Sequence, residues 1–295
     1  MASLLNVTNE LIIQWNLGNN CNLDCSYCHA DLKDGSNPFP NIDRLRPAFA
    51  HLLEQARAFS LIKLEIPGGE PTESIALKEL MLENTSPEIH FKLYSNAQAK
   101  VAWWKAVAPK LYQVELTYHS TTNLEHFLEV IDAVHDTTQL TVLVPHTPTN
   151  WNEANHAYTT INKKINNVKI QLLFKDHTRG NSQYLDYTGE QWAIYFKSIG
   201  VDPANTEQVA DTEEYKKIHF LNNFYGHLCW AGTTQIIVDN FGYVYRGWCK
   251  SNGHMGNVFD QTFVIDSRPK PCPKTQCKNG FDLQARKSEG SWGMA

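Results

Sequence analysis

Three thiols lie within eight residues in Cys21-Asn-Leu-Asp-Cys25-Ser-Tyr-Cys28, close enough for one loop to wrap a single inorganic centre. A cubane [4Fe-4S] cluster has four irons and usually takes four thiolates. Three ligands leave one iron open to a substrate or cofactor, just as an open position separates catalytic from structural zinc sites. The spacing taken alone also suits half of a zinc site. Further along, Pro67-Gly68-Gly69-Glu70-Pro71-Thr72 has the chemistry of a ligand cradle. Its glycines let the backbone approach closely, and Glu70 can accept hydrogen bonds from an ammonium group. Cys229, Cys249, Cys272 and Cys277 account for every other cysteine, and four ligands are what a closed metal site demands.

The CxxxCxxC spacing, with Tyr27 directly before the third cysteine and Gly68-Gly69-Glu70 one strand later, resembles the signature of the radical S-adenosylmethionine (SAM) superfamily. That resemblance implies a [4Fe-4S] cluster on Cys21, Cys25 and Cys28, with SAM chelating the open iron through its amino and carboxylate groups. Gly68, Gly69 and Glu70 would then meet the amino group, and Tyr27 would lie near the adenine. Ser95 and Asn96 are similar to the polar residues that meet the ribose or carboxylate in the family, and Val142 to Val144 are placed against the adenine by analogy. The implied chemistry is reductive cleavage of SAM to a 5′-deoxyadenosyl radical, which abstracts a hydrogen atom from substrate. Cys229 to Cys277 resembles the auxiliary-cluster extension called SPASM, or its shorter single-cluster form, twitch. A second [4Fe-4S] cluster on these four thiolates would accept an electron from a substrate radical, favouring a net oxidation such as a dehydrogenation or crosslink. A free thiol there would instead return a hydrogen atom, giving a redox-neutral epimerase of a peptide. Zinc on the same four thiolates gives the non-enzymatic alternative, a zinc-binding interaction protein.

An oxidation that loses an electron usually loses a proton as well, so a base is expected. The strand-end residues Glu115, Tyr118, His119, His146, Asp176 and His177 are candidates to line the substrate cavity, and Asp176 and His177 are the candidates for that base. Arg179 could pair with a substrate carboxylate or phosphate. Between Arg268 and Lys287 six basic residues accompany one acidic residue, which suggests a docking patch for an acidic electron donor such as flavodoxin or ferredoxin. The expected substrate is a peptide or small molecule. The cluster cysteines begin at residue 21, leaving no room ahead of them for a peptide-binding domain.

The elements that must position these residues are βα units. Strands are predicted at 11–17, 62–66, 90–95, 113–118, 140–145 and 168–174. Helices are predicted at 41–59, 72–83, 97–107, 123–135 and 151–165, with Asn41, Thr72, Asn123 and Asn150 as caps. Six units make a partial (β/α)6 TIM-like barrel over 1–187, with the candidate residues at the carboxyl ends of the strands, where the loops emerge. Helices near 188–199 and 211–224 form a connection over 188–228. A small cluster-binding subdomain with a β-hairpin at Asn240-Phe241-Gly242 follows over 229–281, then a loosely ordered tail over 282–295. The 295 residues carry 42% hydrophobic composition and a net charge of -5, which suits a globular chain and argues against a nucleic-acid partner. No stretch approaches the apolar length of a membrane span and the N-terminus lacks a signal-peptide pattern, so the expected setting is cytoplasmic.

Overall fold

In the computed structural model, which describes residues 9–173, 184–212, 223–277 and 279–288, the alternation along each strand decides which residues face the site. Leu11, Ile13 and Trp15 are buried on β1 (Glu10–Trp15), Ile62, Leu64 and Ile66 on β2 (Leu61–Ile66), and Phe91 and Leu93 on β3 (Ile89–Ser95). The pattern continues with Val114 and Leu116 on β4 (Leu111–Thr117) and Val142 and Val144 on β5 (Gln139–His146). These side chains join the buried faces of α1 (Ile42–Ala56), α2 (Ile75–Glu83), α3 (Val101–Val107), α4 (Leu124–Val134) and α5 (Trp151–Asn162) in one core. Side chains two apart share a face, so the other face of the strands carries Gln14, Lys63, Glu65, Lys92, Tyr94 and Glu115. This face is held by Lys63–Glu10 at 2.8 Å, Lys92–Glu65 at 3.9 Å and a Tyr94 hydroxyl donating to Glu65 at 2.6 Å.

Strands β1 to β5 and β6 (Val168–Leu172) pair in parallel and in chain order. The result is a mostly parallel α/β sheet flanked by helices, the partial TIM-like architecture expected. Predicted and observed strands agree to within two residues over their described parts. Phe174 of the sixth predicted strand lies outside the described residues.

Caps follow the expected chemistry at Asn41 and Asn123, which accept from the N–H groups of Arg44 and His126. Thr72 is a correction. Its side chain turns to Glu70, and Ser74 caps α2 by accepting the Leu77 N–H at 3.1 Å. Asn150 precedes α5 without capping it, because its side-chain oxygen accepts from the N–H and hydroxyl of Thr147.

Beyond α6 (Gly189–Ser198) and α7 (Thr206–Asp211), the C-terminal part adds strands to two sheets. The predicted helix at 211–224 falls mostly outside the described residues. Strand β8 (Gln235–Val238) returns to pair in parallel with β1, Ile12 opposite Gln235 and Trp15 opposite Val238. Strands β9 (Tyr243–Tyr245) and β10 (His254–Asn257) continue the same sheet antiparallel. The predicted hairpin lies between β8 and β9. Asp239 accepts the N–H groups of Phe241 and Tyr243, and Gly242 takes a φ of +85°. A second sheet sets β7 (Leu228–Cys229) between β11 (Lys270–Pro271) and β12 (Lys287–Ser288). Helix α8 (Gly280–Gln284) and β12 correct the expectation of a loose tail from 282: Asp282 is buried, and Lys287 pairs opposite Cys229.

Candidate active site

The loop after β1 carries the first three cysteines, and its ends are tied by one amide. Asn19 is fully buried. Its Nδ2 donates to the Asp31 carbonyl at 2.9 Å, to Asp34 at 2.6 Å and to Ser36 at 3.1 Å, while its oxygen accepts the Asn37 N–H at 2.8 Å. Sequence reasoning missed this residue. An asparagine amid Gly18 and Asn20 carries no motif, and only the return of the chain to residues 31–37 reveals its partners. Inside the loop, the Cys28 N–H bonds the Cys25 carbonyl, and Lys33 donates to that carbonyl at 2.6 Å while pairing with Asp24.

The second motif sits against this loop. The Glu70 N–H donates to the Asn20 carbonyl at 2.7 Å. Gly68 and Gly69 have φ of +91° and +48°, and an added Cβ would fall 2.1 Å from the Asn16 side chain or 2.3 Å from the Asn20 carbonyl. Both positions therefore require glycine, for conformation and for space. The Glu70 carboxylate is 1% exposed and accepts four hydrogen bonds: Thr72 N–H at 3.1 Å, Thr72 hydroxyl at 2.7 Å, Ser95 hydroxyl at 2.7 Å and Asn96 N–H at 2.7 Å. Burial pushes the Glu70 carboxyl up, opposed by those hydrogen bonds. Asn96 reaches on to the cysteine loop, donating to Asn22 at 2.7 Å and lying 3.9 Å from the Cys21 sulfur.

Residues from these segments converge on one cleft of about 290 Å³. Its walls include Cys21, Cys25 and Cys28, Tyr27, Gly68 to Glu70, Ser95 and Asn96, together with Tyr94, His119 and Pro145. The three cysteines are partly buried, and burial pushes each thiol up. The negative charge of neighbouring thiolates adds to this at Cys21 and Cys28. His119 stacks on Tyr27 at 5.9 Å, hydrogen-bonds its hydroxyl, and lies 3.4 Å from the Cys25 sulfur. Burial lowers the His119 pKa to about 4, so the ring is neutral at pH 7.

Other expected site residues lie elsewhere. Tyr118 packs edge-on against Phe127 in the core and donates to the Thr122 carbonyl. His146 is wholly buried between Trp151 and Tyr158, its Nδ1 against the Val144 carbonyl. Val142 and Val144 point into the helix-facing core, which leaves Pro145 as the β5 residue lining the cleft. Glu115 lies on the inner face below the cleft, its carboxyl pushed up by burial and drawn down by Lys92. Asp176, His177 and Arg179 fall outside the described residues.

The small sheet positions two of the second cysteine set. Cys229 lies on β7, and Cys272 follows β11 directly, its N–H on the His227 carbonyl at 2.8 Å. Cys229 senses the charge of Cys272 and Cys249, and Cys277 that of Cys249 and Cys229. Burial, with adjacent negative groups, pushes the Cys277 thiol up to about 12. Among the described residues no three His, Cys, Asp or Glu side chains close around a single metal ion. A cluster several ångströms across holds its thiolates farther apart than one ion does, and both thiol sets have the donor type such a cluster takes. The three thiols beside the glycine cradle and the four C-terminal thiols therefore have the donor chemistry that two such clusters take. Half of the C-terminal basic run is engaged within the chain: Lys270 with Asp266 at 2.9 Å, Arg286 over Trp230 at 4.5 Å, and Lys287 on two carbonyls.

No family model and no curated protein sequence matches the chain. Solved structures do. Native anSMEcpe with bound AdoMet is 15% identical with a TM-score of 0.54, covering 87% of this chain and 81% of that one. Native anSMEcpe with bound AdoMet and Kp18Cys peptide is 16% identical at 0.53, with the same coverage. Streptococcus suis SuiB bound to precursor peptide SuiA is 13% identical at 0.41, covering 88% of this chain and 65% of that one. The likeness to anSMEcpe is one of fold.

Proposed function

We propose that this chain is a radical SAM enzyme that takes a hydrogen atom from a peptide or small-molecule substrate and completes a net oxidation. The observation that carries this reading is the single cleft in which the three-cysteine loop meets Gly68, Gly69 and Glu70, with Asn96 joining the two. Cys21, Cys25 and Cys28 would hold a [4Fe-4S] cluster there, which would supply the electron for reductive cleavage of SAM.

The chain's own groups do the rest. Cys21, Cys25 and Cys28 are the cluster ligands, and Gly68 and Gly69 leave the space in which backbone meets the methionine end of SAM. One Glu70 oxygen takes three internal hydrogen bonds and the other only that of Asn96, so the second can also accept an ammonium. Ser95 and Asn96 border the ribose or carboxylate, and Tyr27 the adenine. Cys229, Cys249, Cys272 and Cys277 would hold an auxiliary [4Fe-4S] cluster, which would supply an electron acceptor for the oxidation. Asp176 and His177 are the proposed proton acceptors. A peptide substrate is favoured by the fold shared with the peptide-bound anSMEcpe structure, and flavodoxin or ferredoxin is the proposed electron donor.

Anaerobic reconstitution tests the reading directly. About eight irons per chain, as two cubanes require, with 5′-deoxyadenosine formed from SAM under dithionite, is the expected result. Colourless protein holding stoichiometric zinc and leaving SAM intact overturns it.

A further inference from the structure

Asp282 lies in no motif and follows the last cysteine by five residues, yet it is 4% exposed. Both its oxygens are spent on one peptide segment. Oδ1 accepts the Trp248 N–H at 2.8 Å and Oδ2 the Cys249 N–H at 2.7 Å. Gly247 makes room for this contact: a Cβ there would come 2.6 Å from Oδ1, although its φ is not in the left-handed region. Glycine at 247 is therefore a spatial requirement.

The short helix that carries the carboxylate is itself anchored from several sides. Asn279 caps α8 by accepting the N–H groups of Phe281 and Asp282. Gln235 on β8 donates to the Phe281 carbonyl at 2.7 Å, and Lys287 on β12 to the Asp282 and Ala285 carbonyls at 2.7 and 2.9 Å. The Trp248 indole, on the far side of the clamped segment, donates to Gln14 of β1 at 2.5 Å. The segment from Gly247 to Cys249 is thus fixed between α8 and the main sheet, although the Cys249 side chain is exposed.

We propose that Asp282 is the positioning residue of the auxiliary site: by holding two successive N–H groups it fixes the backbone from which Cys249 presents its thiol alongside Cys229 and Cys277. This rests on reading the four C-terminal cysteines as one metal-binding set. Without the clamp, the four-ligand site loses the ligand that comes from a turn, while Cys229 and Cys272 remain set by β7 and β11.

The test uses the full-length chain and two variants, Asp282→Asn and Gly247→Ala. Asparagine keeps the shape but offers one acceptor for two donors; alanine leaves the carboxylate in place and pushes it off the segment. In the metal-free wild type the Trp248 and Cys249 amides exchange slowly with deuterium. Either variant speeds them about 10-fold or more, the loss expected for a charge-assisted hydrogen bond, while amides of β2 and β3 are unchanged. After reconstitution each variant holds about four irons instead of about eight, and its remaining paramagnetic signal is the one that SAM shifts. Wild-type exchange and full iron in both folded variants overturn the proposal. Should the wild type itself take only about four irons, the auxiliary-cluster reading fails, and the exchange experiment still decides the clamp. Should Asp282→Asn not fold, Gly247→Ala decides it.

Discussion

Glu70 ties together segments far apart in the chain, since its carboxylate binds Thr72, Ser95 and Asn96 while its N–H holds Asn20. The Gly-Gly-Glu motif makes this residue legible as an acceptor, and the positive φ of both glycines follows from the same motif. The four internal donors are not legible, because Ser95 and Asn96 reach Glu70 only once β2 and β3 pair. Glu70→Gln separates structure from ligand binding. An amide keeps the three bonds at one oxygen but sets an N–H₂ group against the Asn96 N–H, an unsatisfied buried donor costing about 2 kcal/mol. The denaturant midpoint should fall accordingly, and SAM binding to the reconstituted protein, followed by equilibrium dialysis, should weaken at least 10-fold, about the 1.4 kcal/mol of one charged contact. Unchanged SAM affinity in a destabilised variant would confine Glu70 to the internal clasp.

Two histidines, each near a strand end, show what an element decides. Strand β4 stops at Thr117, so His119 belongs to the loop and reaches the cleft. Strand β5 runs through His146, which shares the parity of Val142 and Val144 and so faces the core. That parity is present in the sequence; the strand's length, which makes it apply, is set by pairing with β6. Thr72 and Ser74 show the same dependence, since the Glu70 carboxylate claims Thr72 and moves the cap of α2 two residues on. For His146, burial lowers the pKa, opposed by its bond to the Val144 carbonyl. Its neutral ring therefore contributes stability that is complete above about pH 6.5, the unfolded value, and is lost as pH falls toward the lower folded value. His146→Phe keeps the aromatic packing against Trp151 and removes the titration. The wild type's denaturant midpoint should fall more steeply than the variant's between about pH 7 and pH 5; parallel profiles would assign the acid sensitivity to other groups.

At the scale of the whole molecule, six parallel units and a hairpin are legible from local periodicity, because each repeats a short pattern of apolar positions. The return of β8 to β1 is not, since no local pattern states which edge a distant strand will join. Its consequence is a core that crosses the expected boundary at residue 229. Ile236, Val238, Val244, Val258 and Phe263 are fully buried in the same cluster as Leu11 and Leu45, His51 bonds the Phe263 carbonyl at 3.1 Å, and Arg44 stacks over Phe259 at 4.0 Å. The C-terminal part therefore completes the sheet as well as holding cysteines. A chain ending at residue 228 would expose the edge of β1 and the apolar surface that these five side chains cover, each worth about 1.5–3 kcal/mol when buried. Against a total stability of about 5–15 kcal/mol, that loss is comparable with the whole. The truncated chain should aggregate through the bared β1 edge, whereas the full chain should unfold in one cooperative transition in calorimetry. A soluble 1–228 fragment with native-like circular dichroism, or a full chain melting in two separated steps, would show instead that the sheet is complete without β8.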